Sequence, residues 1–354
     1  MAANTPVRNY NIFGNDDKLQ ETTKVVTSTW TNNVNALTSA FTSSNPSTTS
    51  PTSSGAFFMD VYDDESISNI QYSVAYGHKK GSGSLLFNAS AKGYSPTSVI
   101  YNQYRQLVYG DNSTDFSFNG YTPDDIYVIN INRARYKHNL KPGVLNLTLA
   151  SGSGGNHVVL NLTDDSITTT GSATIRNVGR EFNLVSGSSG VQSGSNLTQV
   201  ESSGSYGLYY PDSGFIILNP SALSTGGALS STTTVSESLV PITTENTPAN
   251  NHHRLINTLN HESSSFIVDS EEKVSAQYYF ARIKNKDFNY TTNPTFRDSS
   301  GNLLYSDMES NPKVYITTVG LYDTPGNLLA VAKLSQPIAK EFSKEALIRI
   351  KLDY

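Results

Sequence analysis

The sequence predicts a mainly β protein: β-sandwich-like domains, two or three short helices, an N-terminal arm and Ser/Thr/Gly-rich loops. Three observations lead there. Hydrophobic residues are 36% and charged residues 16% of the 354, both low for a globular chain, with hydroxyl, amide and aromatic side chains filling the difference. The 21 Tyr and 14 Phe set the chain apart from disordered sequences, which are poor in rings. Several segments alternate apolar with polar residues between Gly/Pro/Asn turns, the period of a half-buried strand.

From the N-terminus, Asp16 to Leu37 carries a helical spacing. Val26, Trp30, Val34 and Leu37 recur at intervals of four, four and three and form one apolar stripe. FTSSNPSTTSPTSSG (Phe41 to Gly55) reads as a flexible linker. Residues 1–54 are therefore expected to form an arm that either docks on a neighbour or folds back on its own body.

A β-rich body with one short helix is expected over 55–223, opening with strand-like AFFMDVYDD and SNIQYSVAYGHKKGSGSLLFNAS. The helix follows. Ser95 suits its N-cap and Pro96 its first turn; Ile100, Tyr104 and Leu107 share a face, and Gly110 suits the stop. Asp124 to Leu140 alternates as a strand, and GVLNLTLA and HVVLNLTDDSI read as a hairpin across SGSGGN. Residues 186–205 read as a Ser/Gly-rich loop, and Ser205 to Leu223 as strand around a turn at Pro211–Gly214.

A second linker is expected over 224–250 and a C-terminal β domain over 251–354. Its strands are KVSAQYYFARIKN, KVYITTVGLYD, NLLAVAKLS and ALIRIKLDY. DTPGN (Asp323 to Asn327) joins the middle two, its Pro supplying φ and its Gly a permissive backbone. No fixed-period repeat is present, which disfavours a β-helix or propeller.

Composition bounds the chemistry. Without cysteine there is no disulfide, thiolate metal site or Cys nucleophile, which suits folding in a reducing compartment. A formal charge of −5 is opposite in sign to a nucleic-acid coat. No apolar run approaches the roughly 18–20 residues of a membrane span. MAANTPVRNYNIFGNDD lacks the apolar segment of a secretory signal, so the six N-x-S/T sequons are expected to be chance. Neither nucleic-acid binding nor membrane insertion is expected.

Possible catalytic constellations resolve into plainer ones. His252, His253 and His261–Glu262 cluster, but in loop-like sequence without His-x-x-x-His spacing or a Cys partner. GHKKGSGS (Gly77 to Ser84) has its lysines before the second glycine and a strand after it, so a hairpin tip replaces the phosphate loop. The acid pairs Asp63–Asp64, Asp124–Asp125 and Asp164–Asp165 suit turns better than glycoside hydrolysis, and no G-x-S-x-G elbow occurs. No catalytic, cofactor-binding or metal residue is assigned, and no cofactor is expected.

Interface candidates are clearer. If INRARYKHNLK is a strand, Arg133, Arg135 and Lys137 share one face as a basic stripe, facing either an acidic partner or solvent. In ALIRIKLDY, Ile348, Ile350 and Leu352 alternate with a mostly charged face. That strand either completes a neighbour's sheet or forms an ordinary edge of its own domain.

SAQYYFARIKNKDFNYTTNPTF (Ser275 to Phe296) and NPKVYITTVGLYDTPGNLLAVAKLSQPIAKEFSKEALIRIKLDY (Asn311 to Tyr354) resemble a family of virion structural proteins of T4-like contractile-tailed phages, notably cyanophages. SVAYGHKKGSGS, YSPTSVIYNQYRQLV, IYVININRARYKHNLKPG and YYPDSGFIILNPSAL are similar to that family's N-terminal and central blocks. The resemblance implies a non-enzymatic tail or baseplate subunit, present in multiple copies and bound to other virion proteins. It implies assembly in the host cytoplasm and residence in the virion. The rivals are a receptor-binding or fibre-attachment protein and a capsule-degrading enzyme.

Overall fold

A computed structural model describes residues 10–38, 41–42, 58–63, 69–83, 95–151, 158–168, 173–193, 204–225, 241, 243, 251–289 and 293–354. Over these residues the protein is mainly β. It divides into two compact units, one of residues 25–272 and one of residues 1–24 with 273–354. This division does not follow the boundaries near 54 and 250 that composition suggested. Most of both Ser/Thr-rich linkers lies outside the described residues.

The expected helix over 16–37 is instead a strand, β1 (Lys18–Ser28), followed by a 3₁₀ turn at Thr31–Asn33. KLQETTKVVTS is rich in β-branched residues that favour extended backbone. Asn32 and Asn33 then take positive φ (61° and 57°), which ends any helical path.

The larger unit is built on a twelve-stranded antiparallel sheet. Its strands are β2 (Phe41–Thr42), β3 (Phe58–Tyr62), β4 (Ile70–His78), β5 (Asp125–Ile131), β7 (Asn146–Ser151), β8 (Val158–Asp164), β9 (Thr174–Arg176), β10 (Gly179–Ser188), β11 (Val191–Gln192), β12 (Gly207–Tyr210), β13 (Phe215–Leu218) and β14 (Ser265–Ile267). Short β6 (Asn139–Leu140) pairs instead with Ser270 and Glu271. The main path runs β14-β7-β8-β10-β12-β13-β5-β4-β3-β2, with β9 and β11 attached to β10. Leu37, just before β2, exchanges backbone hydrogen bonds of 2.9 and 3.0 Å with Phe266 of β14. The two ends of the path are thereby brought together and the sheet curls around its own interior.

Both faces of the central strands are covered. Inside, Tyr127, Ile129, Leu147, Leu149, Leu160 and Leu162 pack with Leu255, Ile256 and Leu259 of a helix, α3 (Asn251–Leu259). Outside, Ile126, Val128, Tyr210, Phe215 and Ile217 lie under Ile100, Tyr101, Tyr104 and Val108 of α1 (Pro96–Tyr109). Burial on both sides explains why DIYVINI, GLYY and FIIL read as apolar runs. Short α2 (Pro220–Thr225) follows β13. In α1, Leu107 is exposed and Val108 takes the buried place. Gly77 of β4 permits the close approach of α1: a Cβ there would lie 2.9 Å from the Tyr101 nitrogen. Gly110 ends the helix in the left-handed region (φ 78°), as its sequence position suggested.

The smaller unit contains a sheet ordered β1-β15-β18, with β15 spanning Asp269–Ile283 and β18 spanning Ala346–Asp353. A separate hairpin pairs β16 (Val314–Tyr322) with β17 (Leu328–Lys340), and one-turn α4 (Asp307–Ser310) precedes it. The DTPGN turn closes this hairpin, with Gly326 at φ 96° and the Asp323 carboxylate accepting from both nitrogens of Asn327. Ala281, Ile283, Ile348 and Ile350 of the sheet pack against Ile316, Val319, Leu321, Ala332 and Ile338 of the hairpin. Two β layers therefore enclose one small core.

Candidate interaction surface

The ten interface candidates do not form one surface. Trp30 and Leu37 are buried, whereas Val26 and Val34 are exposed. Trp30 packs between Tyr72 and Phe266, at ring separations of 6.0 and 5.0 Å, and its Nε1–H donates to the Phe266 carbonyl at 2.8 Å. What looked like a docking stripe is partly the larger unit's own core.

The basic stripe is likewise redistributed. Residues 133–135 form a 3₁₀ turn, not a strand, because Asn132 Oδ1 caps it by accepting from the Ala134 amide at 2.9 Å. Alternation of side chains is lost with the strand. Arg135 donates to Thr31 Oγ1 at 2.5 Å, while Lys137 is exposed and its backbone N–H donates to Ser270 Oγ at 2.7 Å. Arg133 donates to the Tyr136 carbonyl at 2.5 Å, and its guanidinium lies 4.6 Å from the centre of the Tyr136 ring. It lines an open groove of about 410 Å³ with Gln103, Tyr104, Leu107, Tyr136 and Ser213. The groove is also lined by Phe215 and by the Asp212 carboxylate that Arg180 holds, so it presents aromatic area of the kind enriched at interfaces rather than a free charge.

The third set lies on β18. Ile348 and Ile350 are 5% and 4% exposed and Leu352 half-buried, all within the smaller unit's core. They hold the strand in its own domain. The strand's free side is its backbone. Tyr354 and Ser275 exchange both peptide hydrogen bonds (2.9 and 3.1 Å), and the register with β15 continues without a bulge to Ile283↔Ala346. Antiparallel alternation then turns the N–H and C=O groups of Leu347, Arg349, Lys351 and Asp353 away from β15. Among the described residues β18 has β15 as its single strand partner. Arg349 lies 4.2 Å from the Tyr278 ring centre and Lys351 pairs with Asp353 at 2.9 Å, so the outward face is charged but locally satisfied.

One apolar surface escaped the sequence reading. On the hairpin, Tyr315, Tyr322, Leu329 and Val331 are 61%, 62%, 69% and 59% exposed. VYITTVGLY and LLAVAKLSQPIAK are apolar at both parities, so period alone did not reveal which set faces out.

No family model, curated protein or solved structure matches the chain.

Several of the residues weighed as catalytic take structural positions, while Asp64 lies outside the described residues. His252 is buried in α3, its ring 4.5 Å from that of His253; the segment is a helix, not the loop expected, because Leu255, Ile256 and Leu259 anchor it inside the sheet. Burial lowers the His252 pKa to about 3, so the ring is neutral. Among the described residues no group of three His, Cys, Asp or Glu could hold a metal. Lys79 and Lys80, at the turn after β4, pair with Asp115 and Asp124 at 2.5 and 2.8 Å. Asp164 accepts from the amides of Gly143 and Ser166, and Asp165 from Asn183 N and Nδ2, so this acid pair ties loops to the sheet. Asp125 accepts from the Tyr76 hydroxyl at 3.0 Å. Burial raises its pKa from 3.8 to about 6, against the opposing Tyr76 hydrogen bond.

Proposed function

We propose that this chain is a structural component of a tailed-phage virion, a tail or baseplate subunit that works through persistent contacts with other virion proteins and is present in multiple copies. The observation that carries the reading is the free side of β18. Along the eight-residue strand, Leu347, Arg349, Lys351 and Asp353 present outward-directed peptide groups with no second strand beside them among the described residues. Such an edge templates pairing with another chain, and natural proteins usually blunt it unless it is used. The exposed Tyr and aliphatic side chains of the β16–β17 hairpin add aromatic contact area of the type enriched at interfaces. The resemblance of the 275–296 and 311–354 segments to contractile-tail virion proteins supplies the setting: assembly in the host cytoplasm and residence in the particle.

The test is a proline at Leu347. Its N–H points to the free side, and its side chain is 63% exposed, so Leu347→Pro removes an edge donor without deleting a β15 ladder bond. The variant should fold with unchanged far-UV circular dichroism yet fail to enter purified particles in complementation. Unchanged incorporation overturns the edge as the contact, and absence of the wild-type chain from mature particles overturns the structural role itself. Release from intact tails without disturbing baseplate or sheath would instead favour a distal receptor-binding protein.

A further inference from the structure

Lys340, the last residue of β17, is a charged side chain with 0% exposure. Its three acceptors are all neutral: Asn285 O at 2.7 Å, Asn289 Oδ1 at 2.8 Å and Glu341 O at 3.4 Å. Burying an ammonium without a carboxylate in contact is unfavourable, and such lysines shift toward the free amine. Burial lowers the pKa of Lys340, against the attraction of Asp287 and Glu345. The partner is equally enclosed. Asn289 is 5% exposed, and its Nδ2 donates to the same Asn285 carbonyl at 2.6 Å. Phe288, immediately before it, takes φ 58°, a conformation uncommon for a bulky residue and the kind that a required side-chain position enforces.

We propose that Lys340 and Asn289 condense into an intramolecular isopeptide bond that cross-links the smaller unit. The Lys340 ammonium already donates to the oxygen of the carboxamide to be attacked, and both side chains are enclosed, which holds the two reactants side by side. Lys340 gives up one ammonium proton and its Nζ adds to Asn289 Cγ. A proton passes to Nδ2, the Cγ–Nδ2 bond breaks, and ammonia leaves. The balance is one ammonium and one primary carboxamide giving one secondary amide and one ammonium ion, with no oxidant or reductant. The proton that Lys340 sheds ends on the departing ammonia, so the balance needs no further acid or base. The product replaces a buried charge with a neutral amide whose remaining N–H can still donate to Asn285. The link closes a loop between positions 51 apart, in a chain with no cysteine to make a disulfide.

Intact-mass spectrometry of the purified full chain, followed by a peptide map, tests this. The chain should be lighter than its sequence by one ammonia, and digestion should yield one branched peptide joining the segments that contain Asn289 and Lys340. Lys340→Met and Asn289→Ala should each restore the sequence mass. A wild-type mass equal to the sequence after prolonged incubation overturns the proposal. So does an ammonia loss that persists in Lys340→Met, which would mark a succinimide at an asparagine. The wild-type peptide map decides the matter even if a variant does not fold.

Discussion

The indole of Trp30 donates its N–H to the backbone carbonyl of Phe266, 2.8 Å away and 236 positions along the chain. The two rings are 5.0 Å apart, and the neighbouring Leu37 bridges the same residue through its backbone. The segment before β2 is therefore part of the larger unit's interior, and it joins the first and last strands of the sheet path.

Trp30→Ala should lower the stability of the larger unit by about 3–5 kcal/mol, through lost aromatic burial and a stranded carbonyl. Trp30→Phe keeps most of the ring and should cost about 1–3 kcal/mol, chiefly for the missing donor. Urea denaturation followed by intrinsic fluorescence and circular dichroism measures both. Deleting residues 1–54 should likewise lower the melting temperature. Unaltered melting after deletion would place the segment outside the core.

Gly77→Ala should destabilise by about 1–3 kcal/mol, since a Cβ 2.9 Å from the Tyr101 backbone nitrogen forces α1 off β4. The measurement is a denaturation midpoint. An effect below about 0.5 kcal/mol would show that the helix can shift freely.

Asp125 makes stability depend on pH. Its folded-state pKa is raised from 3.8 to about 6, so the folded state holds a proton that the unfolded state releases earlier. Its contribution falls as pH rises from about 4 to about 6 and levels off above, at a cost on the order of 3 kcal/mol. Asp125→Asn keeps an acceptor for Tyr76 and removes the ionisation. The variant should match the wild type near pH 4 and exceed it at pH 7.5 in paired denaturation curves. Equal stability at both pH values would show that Asp125 is not desolvated in the folded state.

On β18 the two faces should respond differently. Ile350→Ala should cost about 2–5 kcal/mol of stability because it opens a cavity between sheet and hairpin. Leu347→Ala, one face over, should stay within about 0.5 kcal/mol. Thermal melts of the two variants make the comparison, and matching losses would contradict the assignment of faces.

Local signals in the sequence carried the elements that local physics controls. Pro96 and Gly110 bracket α1, DTPGN closes the β16–β17 hairpin, and alternation marks β18. The errors came where tertiary contacts decide. The spacing of Val26, Trp30, Val34 and Leu37 fits a helix, but β-branched neighbours and the Phe266 carbonyl draw that segment into extended structure. Arg133 and Arg135 alternate on paper until the Asn132 cap turns the backbone. His252 sits in polar-looking sequence, yet three aliphatic residues further along pull its helix into the interior. Nothing near Lys340 in IAKEF marks it as buried, because its two shorter hydrogen bonds go to a loop 51 and 55 positions earlier.

The smaller unit draws β1 from one end of the chain and β18 from the other, and seats both on β15. During synthesis β1 emerges long before its partner β15, while the larger unit closes once β14 reaches β7 and Phe266 reaches Leu37. The residues of the larger unit are therefore all made before β16, β17 and β18 of the smaller unit exist, so the larger unit can fold first. Until β18 is made one side of β15 stays open, so a product stalled before it would expose a sticky seam that β18 otherwise covers.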